Sequence, residues 1–242
     1  MHAQPTIVFI HGAQNDHSVW EAQSASLAGR GHRVLALDLP GHGDGGAALA
    51  SVEAMAGWVR ERLDADGVER ALLVGHSMGS LIALEAARQA PGRIAGLALL
   101  GTAFPMKVSD ALLASARDDE AGAIAMVATW SHAQPELEAP SRRLMERVAA
   151  GGPPGLLHTD LSACKAYAGG EQAAAGLACP VLFILGRHDR MTPPRAAARL
   201  TEAARHGKIV EVDAGHAMMA EQSDAVLDAL AAFAADCTRQ AQ

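Results

Sequence analysis

Residues 71–90 read ALLVGHSMGSLIALEAARQA. Four apolar residues, Ala71 to Val74, lead into Gly75-His76-Ser77-Met78-Gly79, and an Ala- and Leu-rich stretch with helical spacing follows. An apolar strand that stops at a glycine-flanked serine and passes straight into a helix is a strand–turn–helix unit. Its glycines permit a tight turn and a close approach of neighbouring chain. The five-residue pattern alone is weak. In a chain of this composition, with its 24 glycines, it arises by chance roughly 0.1 times. The strand before it and the helix after it supply the weight. The bland alternative is a serine that merely caps the next helix.

Working outward, short apolar runs alternate with Ala-rich helical stretches. Strands are expected near residues 6–11, 33–39, 71–75, 97–101, 181–185 and 208–212. Helices are expected near 19–29, 52–63, 78–89, 195–204 and 224–235. This alternation predicts an α/β fold with about six mostly parallel strands and helices on both faces. It breaks once. Residues 104–176 hold no evident strand, only helical candidates at 109–117, 121–130 and 141–149, punctuated by Pro135, Pro140 and Gly151-Gly152-Pro153-Pro154. A structureless loop of that length is uncommon in a compact domain. A helical cap over 104–176 is therefore expected, dividing the core into residues 1–103 and 177–242.

Composition bounds the partners. Apolar residues make up 50% of the 242 residues and charged residues 19%, enough to build one large core and too apolar for a disordered chain. The net charge is −7 and no Lys/Arg cluster stands out, which argues against nucleic acid as a partner. No stretch reaches the ~20 apolar residues of a membrane span, and the start MHAQPTIVFIH does not resemble a signal peptide. Cys164, Cys179 and Cys237 are scattered and odd in number, so neither a disulfide framework nor a metal site is expected. The expectation is a cytoplasmic protein with no cofactor, no metal and no nucleotide site.

A serine hydroxyl needs a base before it becomes a nucleophile. In this strand–turn–helix setting the partners follow in the order serine, acid, histidine. Asp189 lies in Leu185-Gly186-Arg187-His188-Asp189-Arg190-Met191-Thr192-Pro193, just past one expected strand, and His216 in Asp213-Ala214-Gly215-His216, just past the next. The carboxyl ends of parallel strands are where functional groups of open α/β sheets gather. Alone, Asp189 reads as a loop aspartate and His216 as one of eleven histidines; their order after Ser77 selects them. His11-Gly12-Ala13 ends the first strand. Its Ala13 N–H, with that of Met78, is a candidate pair to receive negative charge on a carbonyl oxygen.

Taken together, HGA (11–13), DLPGHG (38–43), GHSMG (75–79), GRHDRMTP (186–193) and GHAMMAE (215–221) resemble the α/β-hydrolase superfamily, and most of all its small bacterial esterase-type members with a helical lid. The resemblance implies Ser77 as nucleophile, His216 as base, Asp189 as the acid that orients it, and Ala13 and Met78 as oxyanion-hole donors. It implies a carboxylesterase that cleaves a small or medium carboxylic ester through an acyl-enzyme. Acyl transfer, cofactor-free peroxidase or perhydrolase chemistry and C–C bond hydrolysis use the same residues and stay open, as does a non-catalytic ligand-binding role. Relatives that open epoxides or cleave carbon–halogen bonds carry an aspartate where Ser77 stands. The N-terminal hairpin common in the superfamily is absent, so the sheet should be trimmed and wholly parallel. Candidate substrate-binding residues are Trp20, Met126, Trp130 and Met218, with Asn15, His17, Met145, Tyr167 and Met219 beside them; Lys107, Arg142 and Arg143 could meet an anionic substrate, although solvated surface charge is the favoured reading.

Overall fold

The protein is described by a computed structural model over residues 4–43 and 46–240. Residues 1–3, which open the stretch read for a signal peptide, lie outside that range. Six strands run through the described residues: β1 (Thr6–Ile10), β2 (Val34–Leu37), β3 (Ala71–His76), β4 (Ile94–Leu100), β5 (Val181–Gly186) and β6 (Gly207–Val212). They form one sheet in the order β2-β1-β3-β4-β5-β6. Every neighbouring pair is parallel.

Strands β1, β3, β4 and β5 read as nearly unbroken apolar runs because both faces are covered, whereas the edge strand β6 carries Lys208 and Glu211 and is largely exposed. Alternation survives within the burial. Val8, Ile10, Leu73, Leu97, Leu99 and Phe183 point to one face. Ile7, Phe9, Leu72, Val74, Leu100 and Ile184 point to the other, as the two-residue period of a strand requires. The first face packs against α2 (Val52–Ala65) and α3 (Met78–Gln89), the second against α1 (Glu21–Gly29) and α11 (Ser223–Gln240). The remaining short helices of the core are α9 (Ala198–Ala203) and α10 (Met218–Glu221).

Between β4 and β5 the described chain forms α4 (Asp110–Asp118), α5 (Glu120–Ser131), α6 (Glu138–Gly151), α7 (Leu156–Ala166) and α8 (Gly170–Ala175), with no strand among them. Helices α4 to α7 share an apolar cluster of their own around Leu112, Ile124, Val127, Met145, Leu157 and Leu161. Helix α8 instead packs on α3 and α9, against the layer that covers the sheet.

Several boundaries differ from the sequence reading. Strand β4 starts at Ile94, three residues early, because Ile94 and Ala95 are buried with the rest of the strand. The helix expected at 19–29 opens as a 3-10 turn, His17–Trp20, capped by the Asp16 carboxylate accepting the Ser18 N–H. The helix expected at 195–204 opens likewise with a 3-10 turn, Pro194–Ala197. Pro140, read as a break, lies in the first turn of α6, where a missing N–H costs nothing. Helix α7 had no counterpart in the reading. Its buried positions 156, 157, 160, 161 and 164 carry helical spacing, yet the preceding glycines and prolines masked it.

Candidate active site

Ser77 occupies the turn between β3 and α3, with φ 53° and ψ −119°. A non-glycine residue in this region costs about 1–3 kcal/mol and persists only where its surroundings enforce it. The enforcement is visible. The Ser77 N–H donates to the Leu100 carbonyl of β4 at 2.9 Å. A Cβ added at Gly75 would overlap the Gly79 carbonyl, and one added at Gly79 would overlap the Ile10 carbonyl of β1. Both flanking glycines are thus required by close backbone approach, and the turn carries the serine at the carboxyl end of β3.

The loops after β5 and β6 bring Asp189 and His216 together. Both are nearly fully buried, and His216 Nδ1 lies 2.8 Å from Asp189 Oδ2. Asp189 Oδ1 accepts the Met191 and Thr192 N–H groups, each at 2.8 Å. The Thr192 hydroxyl reaches Asp189 Oδ2 at 2.7 Å and the Gly101 carbonyl at 2.9 Å, and it sits 3.0 Å from His216 Nδ1. Burial alone would raise the Asp189 pKa. The His216 charge and hydrogen bond, with the Thr192 N–H and hydroxyl, outweigh it and hold the carboxyl well below the ordinary range.

His76, next to the serine, packs its ring on that of His216 with centroids 4.6 Å apart. Its Nε2–H donates to the His216 carbonyl at 2.9 Å. Burial, then the neighbouring His216, push its pKa down to about 3, so His76 stays neutral and acts as a strut. Glu221 makes a second strut. Its Oε2 accepts the Gly215 N–H at 2.5 Å and its Oε1 the Ala133 N–H at 2.7 Å. The Ala217 N–H donates to Ser131 at the end of α5. The histidine loop is thereby clamped to the helical insertion.

Ser77 and His216 face one cavity of about 550 Å³, which Gly12 and Ala13 also line. The Ser77 hydroxyl makes no hydrogen bond to His216 among the described residues; open sites commonly tighten only around substrate. Gly12 abuts the serine: a Cβ there would lie 3.2 Å from the Ser77 Cβ. The Ala13 N–H has no partner among the described residues. Met78 has its side chain in the core, leaving its backbone N–H at the start of α3. The roof is apolar and comes from α4 to α7, through Leu112, Val127, Trp130, Met145, Leu157 and Leu161.

Of the residues expected to line the site, Trp130, Asn15, Met145, Met219 and Lys107 do so, and Trp130 is 38% exposed at the rim. The others, His17 among them, do not. Trp20 is fully buried beneath the site, stacked on Phe9 at 4.7 Å. Met218 is buried in the core beside it, because the short helix α10 turns Met219 rather than Met218 toward the cavity. Met126 packs among the insertion helices, one position off the α5 face that carries Val127 and Trp130. Tyr167 is buried against α3, its hydroxyl donating to Glu85 Oε2 at 3.0 Å. Thr192 and Glu221 were not singled out. Thr192 could have been, since a threonine three residues after an aspartate is well placed to bond it.

A family model described as the alpha/beta hydrolase family matches residues 7–229. The chain belongs to the alpha/beta hydrolase family. Within that family, it is 27% identical over 239 residues to a putative carbamate hydrolase RutD of Klebsiella pneumoniae, covering 91% of this chain and 87% of that protein. It is 40% identical over 109 residues, 44% of this chain, to the dihydrolipoyllysine-residue acetyltransferase component of the acetoin cleaving system of Cupriavidus necator. That match spans only 28% of the relative's length, and the counterpart from Pseudomonas putida is matched over 26%. Among solved structures, the enol-lactonase of Burkholderia xenovorans superposes with a TM-score of 0.85 at 27% identity, over 96% of this chain and 92% of that one. Among the described residues, this alpha/beta hydrolase has no group of three or more His, Cys, Asp or Glu side chains placed to hold a metal ion. No helix of the described residues is long and apolar enough to cross a membrane.

Proposed function

We propose that this protein is a serine hydrolase that cleaves a small or medium carboxylic ester, open-chain or lactone, through an acyl-enzyme. The observation that carries the reading is the buried His216–Asp189 pair, 2.8 Å apart, facing the same cavity as a serine held on a strained turn. In this reading His216 takes the Ser77 proton as the hydroxyl oxygen attacks the ester carbonyl. The negative charge that develops on the carbonyl oxygen falls to the N–H groups of Ala13 and Met78. His216 returns its proton to the departing alcohol, and water, deprotonated by the same imidazole, then frees the acid. Asp189 keeps the ring oriented and stabilises its cationic form.

The apolar roof suits an acyl or alcohol group of hydrocarbon character, and we assign the lid role to α4–α7 within the insertion at 104–176. The whole-length likeness to an enol-lactonase and to a putative carbamate hydrolase agrees with attack on an acyl carbon. The test is a panel of esters and lactones varied in acyl length and leaving group, run on the protein and on Ser77→Ala. The expected result is turnover of at least one medium-chain ester and a fall of about 10⁵ to 10⁶ in kcat for the variant. Equal turnover by both proteins would reject the reading.

A further inference from the structure

Among the described residues, two that are not glycine adopt φ in the left-handed region: Ser77 and Gln14, both at 53°. They flank one spot. Ser77 carries the nucleophilic hydroxyl of the proposed mechanism, and Gln14 directly follows Ala13, whose N–H is free beside it. Strain at Ser77 is enforced by packed backbone. The Gln14 turn is instead held by polar contacts, from Asn15 beside it and from Asp160 and the Met145 carbonyl of the insertion.

Both polar atoms of the Ala13–Gln14 peptide are pinned. Its carbonyl accepts from Asn15 Nδ2 at 2.9 Å. Its N–H donates to Asp160 Oδ2 of α7 at 2.9 Å. The same Asp160 oxygen lies 2.9 Å from His42 Nε2, in the 38–43 loop. Asp160 and His42 are both completely buried. The Asp160 hydrogen bond and charge raise the His42 pKa against the opposing effect of burial. His11 packs on the far side of the His42 ring, centroids 4.7 Å apart, and its own Nε2 accepts the Leu39 N–H. From α6, the Met145 carbonyl accepts from Gln14 Nε2 at 3.3 Å, and Arg147 donates to Asp16 at 2.6 Å.

A buried ion pair is a poor device for stability alone, since desolvation offsets most of the attraction. Among the described residues, Asp160 Oδ1 is also buried without a hydrogen-bond partner. A carboxylate kept at that cost, and aimed at one backbone N–H, serves geometry. We infer that Asp160, backed by His42, is a positioning residue that holds the Gln14 turn and thereby aims the Ala13 N–H at the carbonyl oxygen of the substrate. The insertion is then part of the oxyanion machinery as well as a roof. This inference rests on the ester-hydrolase reading given above.

The test compares Asp160→Asn, His42→Gln and Ser77→Ala with the parent protein, folded state checked by circular dichroism. Each is assayed for kcat and KM on one turned-over ester, and for inhibition by an alkylboronic acid, whose tetrahedral serine adduct needs the oxyanion site. Removing an oxyanion donor outright costs about 10²–10³ in kcat, so misaiming one in Asp160→Asn should cost about 10- to 100-fold, with KM changed less than about threefold. Boronic acid affinity should fall by a similar factor. His42→Gln keeps a donor toward Asp160 but loses the imidazole, and should show the same pattern more mildly; it carries the test if Asp160→Asn does not fold. Folded variants with kcat within twofold of the parent, or with kcat lowered and boronic acid affinity unchanged, would overturn the inference. An unimpaired Ser77→Ala would instead overturn the reading beneath it.

Discussion

At the scale of single residues, Asp189 is pulled two ways. Burial favours its neutral form; the imidazole and the Thr192 donors favour the anion and prevail. A carboxylate whose folded pKa is depressed contributes stability above its unfolded value of about 3.9, and loses it as pH falls toward the folded value. Asp189 therefore remains an anion through mild acid. Asp189→Asn should lower kcat by about 10⁴, and its stability deficit, measured by urea unfolding, should shrink as pH falls from about 5 to about 3. A deficit constant over that range contradicts the depressed pKa. Ser77, Asp189 and His216 could be named as candidates from the sequence because each lies at or just past an apolar run and their order matches the resemblance. Glu221, Asp160 and His42 could not, because each acts on a partner distant in the chain: Glu221 on Ala133, and Asp160 on Gln14 and His42.

At the scale of elements, the crossing of α3 over β1 is set by what Gly79 lacks. A Cβ there meets the Ile10 backbone, which cannot yield, whereas one at Gly57 in α2 meets nothing within 4 Å. Gly79→Ala should destabilise by about 3 kcal/mol or more, as overpacking against rigid neighbours does. Gly57→Ala should stabilise by about 0.5–1 kcal/mol through helix propensity. Chemical denaturation of the two variants checks both signs, and a neutral Gly79→Ala would mean that the turn is looser than described. The central strands were readable because burial on both faces writes them as plain apolar runs. Their ends were less so: β4 was expected from residue 97 and begins at Ile94, ahead of Gly96. Gly96 sits within β4, where a Cβ would press on Leu72 and Phe233.

At the scale of the whole molecule, the loops after β3, β5 and β6 meet above one edge of the sheet, and the insertion closes over them. That convergence could be anticipated from the parallel topology. Which insertion residues face the cavity could not, because Met126 and Trp130, one turn apart on α5, look equivalent in sequence and only the packing of the insertion helices decides that Trp130 lines it. The claim on which everything else depends is that Ser77 is activated by groups assembled only in the folded chain. The most direct measurement is labelling with a fluorophosphonate, followed by mass spectrometry of the peptides, on native protein, urea-unfolded protein and Ser77→Ala. The account predicts one adduct on Ser77 in the native protein and none in the other two. Native, folded protein that takes no label, or equal labelling of Ser77→Ala, would contradict it.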